Sequence, residues 1–259
     1  MTEATKFWVI HRIVLAAIGI SILVCCAIFL RWDWLPDYYS IILKGLWLTL
    51  WLLVASVAIG FALALPVGLV QVTGPKPLAV LARGFCNIIR GTPLLLQLWL
   101  LYYGLGSLFS TMPEIRGSAM WPYLRQAWPY ALLCLTMSFV AYEAEVMRGA
   151  FLGVPKGELE AARAFGFSEW QVFRKVWLPR AIQRALPTLG GEVVLQLKAT
   201  PLVATITVID VYGAFSKVRQ DTFLTYEPLL LLALVYMLFA GLLVLFFRYL
   251  ENRVPSKQA

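Results

Sequence analysis

Four ionisable side chains stand within otherwise apolar stretches of the sequence: Glu143, Glu145, Glu192 and Lys198. A charge at mid-bilayer costs roughly 2.5–3.5 kcal/mol even on lenient scales, so each needs a partner or a water-filled cavity. Glu143 and Glu145 are two positions apart, about 200° around a helix, and so face different surroundings. Glu145 has Arg148 three residues on, and that pair can satisfy itself. Glu143 has only Phe139, Val140, Val146 and Met147 at helical spacing. It therefore either meets Lys198 or Arg90 from another helix, or lines a path and meets a cationic solute. Thr92 and Gln97 flank Pro93, where they can hydrogen-bond a zwitterion or reseal backbone freed by a kink. Lys198 precedes Thr200-Pro201, where a helix is expected to break, and broken helices near the midplane are where transporters place their sites. The chemistry on offer is recognition and passage of a polar solute.

Bond-breaking chemistry finds no footing. No G-x-x-x-x-G-K-[ST] run occurs, so no ATP site of that kind is expected on this chain. His11 is the single histidine, and no Ser/His/Asp or Cys/His set can be assembled around it. Cys25, Cys26, Cys86 and Cys134 form no C-x-x-C pair and read as small buried hydrophobes. No metal site and no nucleic-acid partner is expected.

The elements that must position these residues follow from composition. Of 259 residues 61% are hydrophobic and 14% charged, with a net charge of +8. Soluble domains run about 45–50% apolar and about 25% charged, so a water-soluble enzyme is excluded. Apolar runs near twenty residues long match a hydrocarbon core about 30 Å thick. Six are expected: Val9–Leu30, Ile41–Val70, Phe85–Leu108, Pro129–Phe151, Pro187–Ile209 and Pro228–Phe247. The first reads as a retained helix, because no small-x-small cleavage site follows it and Trp32 and Trp34 form an interface turn. The second is long enough to tilt, or to kink at Pro66. The third, with Gly91 and Pro93 inside it, is expected to be broken. Fifteen Lys and Arg residues fall on one side of this arrangement and six on the other, which places both termini in the cytoplasm.

One cytoplasmic segment is unlike the short turns elsewhere. After Pro155, residues Glu158 to Phe165 form a strong helix-former set, and Gly166 ends it as a C-cap glycine would. Ser168 is positioned to cap a second helix from Glu169 to Trp177, with Pro179 beyond it. Trp170, Phe173, Val176 and Trp177 share one face of that helix. The pair is too short to span and too apolar to be left in water. Composition leaves two readings: a docking element, or an amphipathic hairpin lying on the headgroups.

Glu160-Ala161-Ala162, then Gly166, then Val176-x-Leu178-Pro179 resembles the EAA loop of ABC importer permeases, with matching spacing throughout. Arg90-Gly91-Thr92-Pro93-Leu94 with Gln97 is similar to the R-G-T-P-L-x-x-Q element of polar amino acid permeases. Tyr142-x-Ala144-Glu145-Val146-x-Arg148-Gly149-Ala150 and Leu197-Lys198-x-Thr200 resemble further segments of the same group. The likeness covers about residues 40–250 and is closest to the M-like subunit of the histidine/lysine-arginine-ornithine type. Ala199 and Pro201 depart from the family's Asp and Ser, which leaves the substrate open.

The resemblance implies an all-α integral membrane protein with about six transmembrane helices. Residues 1–36 would form an additional N-terminal helix and interface turn, 37–250 a five-helix permease core, and 251–259 a cytoplasmic tail. It implies that Glu160, Ala161, Ala162, Gly166, Phe173, Leu178 and Pro179, within coupling helices at about 156–178, sit in a cleft of an ATPase subunit. Thr92, Gln97, Tyr142, Glu143, Glu145, Lys198 and Thr200 would line the substrate path. The implied partners are a second, homologous permease chain, two ATPase subunits carrying ATP and Mg, a periplasmic binding protein and the lipid of a bacterial inner membrane. The implied task is ATP-driven import of polar, basic amino acids by alternating access, with no catalysis on this chain. Two rivals stand beside it: an ion-coupled secondary transporter, which would usually show two repeated halves, and a membrane scaffold with a docking loop.

Overall fold

The computed structural model describes Val14 and residues 28–253, all of whose regular structure is helical. Most of the first apolar run, Val9–Leu30, lies outside the described residues. Helix α1 (Leu35–Thr73) is unbroken through Pro66. At 1.5 Å per residue it is about 58 Å long, roughly twice the hydrocarbon thickness. After a turn at Gly74, α2 (Lys76–Gly91) returns and stops at Thr92-Pro93, both extended. The chain resumes as α3 (Leu94–Thr111), which contains a π-helical stretch at Leu100–Leu105. The third apolar run is thus broken where Gly91 and Pro93 predict it to be. Two single-turn helices, Pro113–Arg116 and Trp121–Leu124, lead into α4 (Trp128–Leu152).

Helix α5 (Lys156–Ala164) is the first of the two short helices. Helix α6 (Glu169–Val172) passes through a π turn (Phe173–Trp177) directly into α7 (Leu178–Ala199). The expectation that Pro179 follows a terminated helix is corrected here: the helix runs on. Proline has no N–H to donate back to Lys175, and the π turn absorbs the mismatch, with Leu178 N–H donating to the Phe173 carbonyl. Helix α7 gives way to a 3-10 segment at Thr200–Ile206, as the Thr200-Pro201 pair predicts. Helices α8 (Val211–Thr222) and α9 (Tyr226–Arg253) complete the chain.

Among the described residues four helices are long and apolar enough to cross a membrane, namely α1, α3, α4 and α9. A fifth crossing forms if Glu169–Ile206 and α8, bent by 52°, count as one span. The bundle is centred on α4, which is buried along most of its length. Helix α1 reaches it through small residues four apart. A Cβ on Gly60 would lie 2.7 Å from a Phe139 ring carbon, and one on Gly68 2.8 Å from the Ala144 carbonyl oxygen. Such close backbone approach replaces the hydrophobic drive that lipid removes. Gln196 on α7 fastens the centre, donating to the Leu135 carbonyl at 2.8 Å and to Ser56 Oγ at 3.2 Å.

Candidate functional site: the elbow and the polar seam

The segment after Pro155 folds as a bent pair of helices. Gly166 N–H donates to the Arg163 carbonyl at 2.9 Å and Phe167 N–H to the Ala162 carbonyl at 3.2 Å. These are the two hydrogen bonds of a Schellman motif, which requires a left-handed residue, and Gly166 supplies it at φ +83°. Ser168 caps the next helix in a full capping box with Gln171. Across the bend Arg163 grips Glu169 with two hydrogen bonds of 2.8 and 3.1 Å. That grip holds the Glu169 carboxyl below its ordinary value and raises the Arg163 guanidinium.

The elbow is seated firmly on one side only. Trp177 donates to the Phe151 carbonyl at 3.0 Å, Phe173 stacks on the Phe151 ring, and Arg180 pairs with Glu158 at 2.9 Å. Ala162 is buried, and Leu178 and Pro179 open α7 half-buried. On the free side Glu160, Ala161 and Gly166 are exposed. Phe165 is 84% and Trp170 65% exposed. A stiff apolar knob held off the end of a bundle is suited to filling a protein cleft.

The second feature is a polar seam between α2, α4 and α7. Arg90 approaches Glu145 at 3.8 Å and lies over the Tyr142 ring at 5.4 Å. Arg148 adds two hydrogen bonds to the same Glu145 oxygen, at 3.1 and 3.0 Å. The self-satisfied Glu145–Arg148 pair is therefore present, and Arg90 joins it instead of meeting Glu143. Glu143 is fully buried, and neither carboxylate oxygen has a hydrogen-bond partner among the described residues. Glu192 of α7 is its acidic neighbour. Lys198 is exposed and makes no ion pair among the described residues, so it does not answer Glu143 either.

At the break in the third run, the Gln97 amide nitrogen donates to the Ile89 carbonyl at 2.8 Å, the Thr92 carbonyl at 3.1 Å and Thr92 Oγ1 at 2.8 Å. Thr92 donates to the Ile88 carbonyl at 2.9 Å. These side chains reseal the backbone, the second of the two roles open to them. Thr200 is buried, bonded to the Leu197 carbonyl and to the Tyr236 hydroxyl, which fixes the start of the 3-10 segment to α9. Gln71, Arg83 and Asn87 were not singled out by sequence reasoning, yet they extend the seam toward the elbow. Their signal was available: Arg83, Asn87 and Arg90 recur at i, i+4 and i+7 on one face of α2.

A long-helix bundle broken at two points, with a stiff elbow at one end, defines a multi-pass membrane permease. Residues 56–255 match the binding-protein-dependent transport system inner membrane component family, and the chain belongs to that family. It is 38% identical over 210 residues to the octopine transport system permease protein OccM of Rhizobium radiobacter, covering 81% of this chain and 84% of that one. The histidine/lysine/arginine/ornithine permease HisM of Escherichia coli K12 is 35% identical over 210 residues, 81% of this chain and 87% of its own. A solved amino acid ABC transporter, crystallised with histidines, superposes with a TM-score of 0.72 at 29% identity over 87% of this chain and all of that one. The inward-facing MetNI methionine transporter shares the fold, with a TM-score of 0.65 at 18% identity over 84% of this chain and 97% of that one. The resemblance read from the EAA, R-G-T-P and Y-x-A-E segments is thereby borne out, and the ion-coupled and scaffold readings fall away.

Proposed function

We propose that this chain is one membrane half of an ATP-driven importer that moves polar, basic amino acids inward across the bacterial cytoplasmic membrane. The observation that carries the reading is the elbow, whose exposed Phe165 and Trp170 form a knob with a rigid base. Two separate ATPase subunits grip it, and ATP with Mg binds there and not on this chain. A second, homologous permease chain completes the path, and a periplasmic binding protein delivers the solute. Closure of the ATPase pair draws the elbows together and the spans rock between outward and inward access.

A basic substrate is supported by relatives named for histidine, lysine, arginine and ornithine, and by the acids Glu143 of α4 and Glu192 of α7. Tyr142, Glu143, Glu145 and Lys198 line or back the path, and Thr92, Gln97 and Thr200 brace its two backbone breaks by satisfying carbonyls there. The termini face the cytoplasm.

The test is uptake of a panel of labelled amino acids by the co-expressed transporter set. ATP-dependent accumulation of arginine, lysine or histidine is expected, and accumulation abolished by an uncoupler while ATP remains would refute the reading. A Ser256→Cys variant should be labelled by a thiol reagent only from the cytoplasmic side; labelling from outside would overturn the topology.

A further inference from the structure

Helix α8 ends in a turn at odds with its sequence. Phe223 N–H donates to the Arg219 carbonyl at 3.0 Å, and the Phe223 backbone is left-handed at φ +60°. Glycine or asparagine usually fills such a place, as Gly166 does at the elbow; for a bulky side chain it is a genuine outlier. The ring gains no packing in return, since Phe223 is 90% exposed. Nor can α8 roll to hide it, because Val211, Ala214, Phe215 and Val218 on the opposite face are fully buried against Trp34, Ile42 and Leu232. Strain held in place with no reward inside the fold points to a use for the side chain outside it.

The location narrows that use. Val72 of α1 packs in one apolar cluster with Phe173 and Trp177 of the elbow, whereas the Tyr38 hydroxyl of α1 donates to Asp221 Oδ2 of α8 at 3.3 Å. Tyr38 and Val72 stand about 51 Å apart at 1.5 Å per residue, well beyond a hydrocarbon core of about 30 Å. Phe223 therefore lies across the membrane from the elbow. Its neighbours are polar: Ser216, Arg219, Gln220 and Thr225 line a cleft of about 220 Å3 with it. Hydrocarbon would not hold that set, so the ring stands in water. Lys217 is spent on Asp221 at 3.3 Å, but Arg219 forms no ion pair among the described residues. On the other flank of α8, Ser216 and Gln220 share a second cleft with Thr205 and Thr207, at the end of the 3-10 segment.

We infer that α8 is a seat for the external binding protein, with Phe223 as its anchor. The ring enters an apolar hollow on the receptor, and Arg219 beside it takes a receptor carboxylate. An exposed aromatic next to an unpaired guanidinium is the pairing that dominates protein docking, and the family is binding-protein-dependent. A receptor held on α8 stands over the cleft that leads to Thr205, and so over the second backbone break of the path. The inference deepens, and rests on, the reading that a binding protein delivers the cargo.

The test uses the whole transporter in phosphatidylcholine nanodiscs, with arginine-loaded receptor titrated against ATP hydrolysis. Phe223→Asn keeps the left-handed backbone and removes the ring. It should raise the receptor concentration for half-maximal stimulation by about tenfold or more, with the maximal rate retained. Arg219→Gln should raise it several-fold and flatten its dependence on salt, whereas Arg219→Lys should do so less. In case the asparagine variant assembles poorly, p-benzoylphenylalanine placed at position 223 should cross-link to the receptor on illumination. Half-saturation unchanged in both Phe223→Asn and Arg219→Gln would overturn the inference while leaving the import reading intact. So would cross-linking from position 223 to lipid or to the second permease chain instead of the receptor. A native transporter whose hydrolysis ignores the receptor altogether would instead sink the import reading on which the seat depends.

Discussion

Gly166 holds φ +83° with no atom within 4 Å of where a Cβ would stand, so a substitution there meets open space and only a conformational penalty. For an L-residue the left-handed region costs roughly 1–2 kcal/mol, more for a β-branched one and less for asparagine. Applied to Gly166→Ala, about 1–2 kcal/mol lowers the ratio of native to non-native elbow shapes by a factor of roughly 5–30. The order Gly, Asn, Ala, Val should therefore appear in the coupling of hydrolysis to uptake. The assay is receptor-stimulated ATP hydrolysis and labelled amino acid uptake measured on the same proteoliposomes, with membrane insertion checked by the amount of full-length chain recovered. Uptake per ATP should fall steeply by Gly166→Val and stay near native in Gly166→Asn. Native uptake in Gly166→Val, or an asparagine variant as impaired as the valine one, would refute the argument from backbone conformation.

Other perturbations test the remaining parts. A Cβ on Gly45 would lie 2.7 Å from the Asp210 carbonyl oxygen at the start of α8. Gly45→Ala should thus cost about 1–3 kcal/mol and lower the detergent Tm, whereas Gly84→Ala, with nothing within 4 Å, should not. Glu169 has its folded carboxyl held low by the Arg163 hydrogen bond. Its contribution to the elbow is accordingly present above the unfolded value of about 4.3 and lost as pH falls through the lower folded value. Protection from amide exchange over Phe167–Gln171, taken relative to the intrinsic rate at each pH, should fall in that acid window, and Glu169→Gln should abolish this fall. Glu143→Gln is expected to reduce uptake of arginine or lysine more than uptake of a neutral amino acid. Equal losses would mean that the carboxylate serves packing alone.

Long apolar runs marked the spans well because lipid imposes a length. Ile41–Val70 sits within α1, Pro129–Phe151 within α4 and Pro228–Phe247 within α9. The elbow was legible too, since the left-handed glycine and the Ser168 cap are local requirements met by local residues. What local spacing does not carry is which side chains meet across helices. Arg90 meets Glu145 and not Glu143 because α2 lies against that side of α4, a fact of tertiary packing. The π turn before Pro179 was missed for a related reason. A proline reads as a stop unless something upstream can shift the register, and the anchoring of Trp177 on Phe151 is a contact 26 residues away. Helix α8 and its Asp210 cap, bonded to Gly213 N–H at 2.8 Å, fall in the gap between the expected runs that end at Ile209 and begin at Pro228.

The absence of a joint at Pro179 has a mechanical consequence. From Glu169 to Ala199 the chain is one continuous rod, about 46 Å long at helical rise. A displacement applied near Trp170 is carried along this rod to Thr200, where it ends in a 3-10 segment bonded to Tyr236. The give in this lever thus sits deep within the bundle and not at the handle.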